Sequence, residues 1–297
     1  MKILPRYPIF IPSKGRADRC LTAKFFREDG VPFHLIVEPQ EADQYAEQFG
    51  RENLVILPWS NRGLVTALNW LWDSEMLKGH ERYWYFDDNI RGIYRFHKGM
   101  RIRCESSAAL RIAEDITDRY ENIAITGFNY YMFTPDGKKR PPFILNHHVY
   151  SSMLMKTDMP FRWRGPYNAD TDMCLQVLAE GWCTVQIIAF LIWKETTMTM
   201  KGGNTDSIYK GDGRLKMARA LERLWPGVVE TKRRFKRPQH VIKYAWGRFD
   251  TQLKLKPGID LSTIPPNDYG LKLQAVSEIK SPHLKEFLAK ENNGDKK

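Results

Sequence analysis

Between residues 8 and 126 the chain alternates short apolar runs with segments of helical period, joined by brief connections. The runs Pro8-Ile9-Phe10-Ile11-Pro12, Phe33-His34-Leu35-Ile36-Val37, residues 54–57, Tyr83-Trp84-Tyr85-Phe86 and residues 123–126 read as strands. Helical segments are expected over residues 17–28, 41–49, 64–77 and 106–120. Parallel strands cannot be joined by a tight turn, so each crossover carries a helix that buries one face on the sheet. The pattern predicts an α/β fold: a mixed, mainly parallel sheet with helices on both faces.

The pattern changes at residue 128. Two β-rich runs flank Thr134-Pro135-Asp136-Gly137, a hairpin turn signal. A helix is expected over residues 172–179, ended by Gly181, and a strand over residues 182–193. Lys201-Gly202-Gly203-Asn204 reads as a loop, either a lid that closes over a ligand or a plain linker. The expected organisation is one domain over residues 1–205 and a basic, helical C-terminal segment over residues 206–297 with a frayed tail.

At 297 residues the chain accommodates one large α/β domain plus such an appendage. No apolar run approaches the roughly 18–20 residues that span a bilayer, and the start lacks the features of a signal peptide. A soluble, cytoplasmic protein without a membrane partner is expected. Four cysteines without C-x-x-C spacing indicate neither a zinc site nor a disulfide framework.

The net charge of +11 is unevenly spread. Residues 210–256 carry fourteen Lys and Arg against four Asp and Glu, leaving the rest of the chain almost neutral. Trp225, Phe235, Tyr244, Trp246 and Phe249 are interleaved with these charges. A solvated basic face would also explain the composition, but charge this concentrated is the footprint of a polyanion-binding surface, with Lys232, Arg233, Arg234, Lys236 and Arg237 at its centre.

Asp87-Asp88-Asn89 stands directly after the aromatic strand, where ligands of open α/β sheets bind. Two carboxylates and an amide there form a hard-oxygen set suited to Mn²⁺ or Mg²⁺ carrying a phosphate-bearing substrate, or an Asx-rich turn that only stops the strand. Ser13-Lys14-Gly15-Arg16 follows the first strand and can present N–H groups and cations to a phosphate. Asn61-Arg62-Gly63 opens a helix, where an Arg and the dipole can hold a diphosphate or simply cap the helix. Asn168-Ala169-Asp170-Thr171-Asp172 holds two carboxylates where capping needs one, so Asp170 or Asp172 is a candidate general base. His147 and His148 would point to opposite faces of an extended segment, so one of them can line a site.

In this order the motifs resemble those of a GT-A glycosyltransferase. More narrowly they resemble the TET-associated glycosyltransferases of bacteriophages. The matching segments are Ile11–Ala17, Tyr85–Asn89, His148–Ser151, Asn168–Leu178 and Lys201–Asn204. The resemblance implies a Rossmann-like GT-A sheet with a nucleotide-sugar half over about residues 1–100 and an acceptor half over about residues 101–205. It implies that Asp87 contacts the nucleoside of a UDP-sugar, UDP-glucose first among them. Asp88 and Asn89 would lie near a diphosphate-bound Mn²⁺ or Mg²⁺, with Ser13, Lys14, Arg16, Asn61, Arg62, Lys201, Gly202 and Gly203 lining the donor. The acid motif departs from the usual pattern at Ala169, which leaves Asp170 and Asp172 both open as base. No late metal-binding histidine stands near Trp193-Lys194, so Lys194 or Lys201 is an alternative counter-charge for the diphosphate.

The implied function is metal-assisted transfer of a sugar from a UDP-sugar to a 5-hydroxymethylpyrimidine in double-stranded DNA, in a host cell's cytoplasm for a phage protein. The alternatives are a glycan or protein acceptor, or a metal-dependent nuclease using His147 or His148 with Asp87 and Asp170.

Overall fold

The computed structural model describes residues 3–195, 213–234, 237–243 and 245–273. Their strands are β1 (Ile9–Pro12), β2 (His34–Val37), β3 (Leu54–Ile56), β4 (Arg82–Phe86), β5 (Ile90–His97), β6 (Met100–Cys104), β7 (Ile123–Tyr130), β8 (Phe143–Leu145), β9 (Ser152–Lys156), β10 (Cys183–Lys194), β11 (Val229–Arg234) and β12 (Arg237–Ile242). The α-helices are α1 (Leu21–Glu28), α2 (Ala42–Phe49), α3 (Leu64–Trp72), α4 (Ser106–Thr117), α5 (Ala169–Ala179) and α6 (Gly213–Leu224).

The first ten strands form one mixed sheet in the order β3-β2-β1-β4-β9-β7-β10-β5-β6, with β8 beside β10. Strands β1 to β4 pair in parallel, as the crossover pattern requires. The pairing turns antiparallel at β4–β9 and β7–β9, then parallel again between β7 and β10. As a consequence β4, β7 and β10 run in the same direction, and their carboxyl ends share one rim with the start of β9.

Strand β4 explains why the sheet has two cores. All five of its residues are buried. By the two-residue period, Trp84 and Phe86 join the apolar layer that holds Phe25, Phe26, Ala109 and Leu110 from α1 and α4. Tyr83 and Tyr85 face the opposite layer, with Leu68 and Leu71 of α3 and Met173 and Val177 of α5. A strand covered on both faces reads as a continuous apolar run, which is how its sequence reads.

Two local expectations give way. The turn signal at Thr134–Gly137 does not join a hairpin, because β8 pairs antiparallel with β10 and not with β7. Asp136 instead accepts from the Arg101 backbone and guanidinium, and the Pro142 carbonyl accepts from Ile188 and Ala189, which seats β8 against β10. In this half of the chain a hairpin forms instead at β5–β6. Its turn residues Lys98 and Gly99 both take positive φ, 47° and 81°, as a tight primed turn demands.

The basic segment is helical over α6 and then becomes a β-ribbon, β11–β12, so the expectation of a helical appendage holds for its first part alone. Leu221 of α6 packs with Val229, Ile242 and Leu175 of α5. The chain then returns along the main sheet's flank. Asn122 donates to the Gln252 carbonyl at 2.8 Å, and isolated bridges join Tyr120 to Leu255 and Cys104 to Leu273. Backbone bonds tie residues 254, 256 and 272 to Glu121, Arg119 and Glu105, whereas the end of the expected frayed tail, beyond residue 273, lies outside the described residues.

Gly127, on β7, tests this packing. A Cβ there would meet the Ser152 carbonyl oxygen at 1.9 Å and Val149 Cγ1 at 2.5 Å. Because the nearest obstacle is backbone, Gly127→Ala is expected to cost about 3 kcal/mol in urea unfolding. A loss within about 0.5 kcal/mol, typical of surface changes, would contradict the packing.

Candidate active site

The shared rim of β4, β7, β9 and β10 gathers the first cluster. Lys194, the last residue of β10, places Nζ 2.5 Å from Asp87 Oδ2 and 2.8 Å from Ser151 Oγ. Ser151 Oγ lies 2.8 Å from Asp87 Oδ2 and 2.6 Å from the Tyr130 hydroxyl, and Tyr85 donates to Asp87 Oδ1 at 2.5 Å. Ser151 holds a positive φ of 61°, uncommon for a residue with a side chain. The strain sets its carbonyl to accept the Asp87 N–H at 2.9 Å while its hydroxyl meets the same residue's carboxylate.

Burial works against a charge on Lys194, but Asp87, Tyr130 and Asp170 together raise its pKa above the ordinary lysine value. One ammonium thus feels both acidic motifs. The carboxylates singled out in sequence at residues 87 and 170 both lie within electrostatic reach of that ammonium.

Asp88 points elsewhere. Its Oδ1 takes a 2.6 Å ion pair from Arg16, and its Oδ2 accepts from Ser13 Oγ at 2.8 Å. Tyr45 closes this buried knot through Ser13 Oγ and the Arg16 N–H. Burial lifts the Asp88 carboxyl above its usual range despite Arg16. Ser13 and Arg16 are thus tied into the loop beneath the rim. Lys14 is the cation of that loop that reaches the surface, with Nζ 2.7 Å from Glu38 and 2.6 Å from Asn61 Oδ1. Arg62 is exposed and lies over the Trp59 ring at 5.1 Å.

The two carboxylates of α5 part company. Asp172 is fully buried and accepts from Arg164 Nε and Nη2, from Gln176 and from the Trp225 indole at 2.7 Å. It fastens α5 to the basic segment, with no lone pair left facing the cleft. Asp170 lies two residues nearer the helix start, partly exposed, where the dipole favours an anion. Its Oδ2 is 3.7 Å from His148 Nε2, and its Oδ1 accepts the Thr171 N–H at 2.7 Å. Burial opposes its ionisation, but His148, Thr171 and Lys194 outweigh that and hold the carboxyl down at about 2.

Asp87 and Asp88, two of the three residues expected to hold a divalent ion, are each paired with a cation of the chain. Asp88 is committed to Arg16 and Ser13, Asp87 to Lys194, and Asn89 Oδ1 is buried without a partner. Among the described residues no group of three His, Cys, Asp or Glu could hold a metal. The two carboxylates of the expected hard-oxygen set thus meet Lys194 and Arg16, while the Asn89 amide oxygen is left open. Of the residues named for the nuclease alternative, His148 faces Asp170 at 3.7 Å, whereas His147 lies tilted against Trp246 at 5.5 Å and Asp87 is paired with Lys194.

Lys232, Arg233, Arg234 and Arg237 are exposed on the ribbon, whereas Lys236 lies outside the described residues. So do Lys201, Gly202 and Gly203. Sequence reasoning missed Tyr130 and His240, and gave Ser151 no role beyond its place in the segment His148–Ser151. Their chemistry is visible only once strands far apart in the chain share a rim.

The family model for TET-associated glycosyltransferases matches residues 7–203 of this chain. It covers both acidic motifs and stops before α6 and the ribbon. No curated protein matches the chain. Among the described residues no helix is long and apolar enough to cross a membrane.

His240 of β12 is mostly buried, and burial with His148 nearby pushes its pKa down to about 4, partly offset by Asp170. An unfolded histidine protonates near 6.5, so between pH 6.5 and about 4 the unfolded chain binds the proton and the folded one does not. Stability from this group is therefore complete above pH 6.5 and falls as the solution is acidified. Going from pH 7 to pH 5 should cost on the order of 1–2 kcal/mol more in the wild type than in His240→Gln, read by thermal melts. Equal losses would show that His240 is not buried as described.

Proposed function

The chain belongs to the TET-associated glycosyltransferase family and is a glycosyltransferase, and we propose that it moves a sugar from a UDP-sugar to the hydroxyl of a 5-hydroxymethylpyrimidine in double-stranded DNA. UDP-glucose is the donor to test first. The observation that carries this reading is Lys194 paired with Asp87 at the sheet's rim, with Asp170 near enough to act on the same ammonium and a basic ribbon alongside.

Transfer breaks the bond from the sugar's anomeric carbon to the diphosphate and joins that carbon to the acceptor oxygen. Negative charge grows on the departing diphosphate, and fixed cations in a water-poor site stabilise it. Lys194 supplies that charge at the inner end of the cleft and Lys14, beside Asn61, at the rim. Asp87 positions Lys194 and meets the nucleoside side of the donor.

The acceptor hydroxyl must lose its proton as the new bond forms. A carboxylate held near 2 is a firm anion but a weak proton acceptor on its own. With His148 Nε2 3.7 Å from its Oδ2 it forms a carboxylate–imidazole pair, and the proton passes to that pair. Asp172, fully engaged by Arg164, Gln176 and Trp225, holds the scaffold instead.

DNA is favoured over a glycan or protein acceptor by the exposed Lys232, Arg233, Arg234 and Arg237, which suit phosphates. A hydroxymethyl group inside a duplex is out of reach, so the base must be turned out of the stack.

Incubation with hydroxymethylated duplex DNA and UDP-glucose, digestion to nucleosides and mass analysis should show one added hexose. No addition with any donor sugar tried would overturn the proposal. DNA binding should weaken steeply with salt, and a flat response would favour the other acceptors. Asp170→Asn should lower kcat at least about 10²-fold in a chain that still folds. Asp172→Asn should instead lower stability by about 2 kcal/mol. The reverse pattern would reassign the two carboxylates.

A further inference from the structure

Between the ribbon and the main domain lies a cavity of about 350 Å³, lined among others by His148, Trp246, Lys232, Arg234, His240 and Val241. Its volume is at the lower end of the roughly 300–1,000 Å³ typical of small-ligand sites, which suits one nucleotide. One wall is aromatic: the His148 ring stacks on Trp246 at 5.7 Å with 17° between planes. The other wall is the ribbon, where residues 230, 232 and 234 share one face by the two-residue period. Lys232 and Arg234 are exposed there, and Glu230 pairs with Lys232 at 2.5 Å.

The cavity adjoins the chemistry through one residue. His148 lines it and also faces Asp170. A flat ring seated against Trp246 and His148 brings a substituent on its edge toward the pair that takes the proton. His240 supplies a neutral imidazole to the base's polar edge, because burial keeps it uncharged at neutral pH. The cations opposite are placed for the phosphates that flank a nucleotide pulled from its duplex.

We propose that this cavity seats the extrahelical acceptor nucleotide, with its base against Trp246 and His148 and its phosphates on Lys232 and Arg234. The proposal rests on the DNA-acceptor reading above and extends it. Of the nine lining residues, His148 comes from the region matched by the family model and the other eight lie beyond residue 203, on the ribbon and the turn that follows it. Acceptor choice is therefore built by a segment that the family match does not include.

The test uses the full chain and a duplex in which 2-aminopurine neighbours a 5-hydroxymethylcytosine. Extrusion of the modified base should raise the fluorescence of the reporter. Val241→Trp, which fills the cavity, should abolish the rise and cut sugar transfer at least about tenfold. A UDP-glucose thermal shift reports whether the variant is folded. Should Val241→Trp not fold, Lys232→Ala with Arg234→Ala decides, since both side chains are exposed.

Transfer by the wild type that is unaffected in the folded cavity variants would overturn the pocket and leave the DNA glycosyltransferase standing. Unstacking that needs an open cavity, but with no sugar transferred from any donor, would support the pocket and remove the donor assignment. Neither unstacking nor transfer by the wild type would overturn both.

Discussion

The ion pair between Lys194 and Asp87 is the contact on which the rest of the site depends. It ties the carboxyl end of β10 to the carboxyl end of β4, two strands separated in the sheet by β9 and β7. A lysine in a mostly buried position keeps its charge because carboxylates surround it. Ser151, held at positive φ, and the hydroxyls of Tyr130 and Tyr85 complete its surroundings. The result is a preorganised cation at the rim where an α/β sheet binds its ligands. A divalent ion would have to displace it.

A second constraint joins the catalytic cleft to the C-terminal segment. Asp172 holds the Trp225 indole, Leu175 packs with Leu221, Val229 and Ile242, and Asn168 donates to the Met217 carbonyl. These contacts converge on the first turns of α5, the helix that carries Asp170. The basic ribbon is thereby fixed next to the candidate proton acceptor. Two adjacent acids on one helix thus serve separate ends, one turned to the scaffold and one to the cleft. Their environments separate them, since Asp172 has three donors around it and Asp170 chiefly a histidine and a helix terminus.

Much of this was legible in the sequence. The runs at β1, β2, β4 and β10 are apolar because both faces of those strands are covered, and covered strands announce themselves. The acidic motifs were legible as excess charge at strand and helix ends. The β5–β6 hairpin was not, because Arg91, Arg95, Arg101 and Arg103 interrupt its apolar pattern. Those side chains lie over Trp193, Phe190, Tyr131 and Tyr94, so they cover the aromatics of the sheet with their own stems. Partnerships in the site were beyond reach for a different reason. Lys194 lies 107 positions from Asp87 in sequence. Whether a carboxylate meets a metal, a lysine or a buried arginine is decided by tertiary register, which no local pattern encodes.

The central claim is that the chain's own cation takes the place of a divalent ion at the donor diphosphate. Calorimetric titration of UDP into the wild type and Lys194→Met, each in EDTA and in Mn²⁺, tests it most directly. The account predicts wild-type affinity that is the same in both buffers within about threefold, and at least about tenfold weaker binding by Lys194→Met in either. Wild-type binding that disappears in EDTA and returns with Mn²⁺ would contradict it.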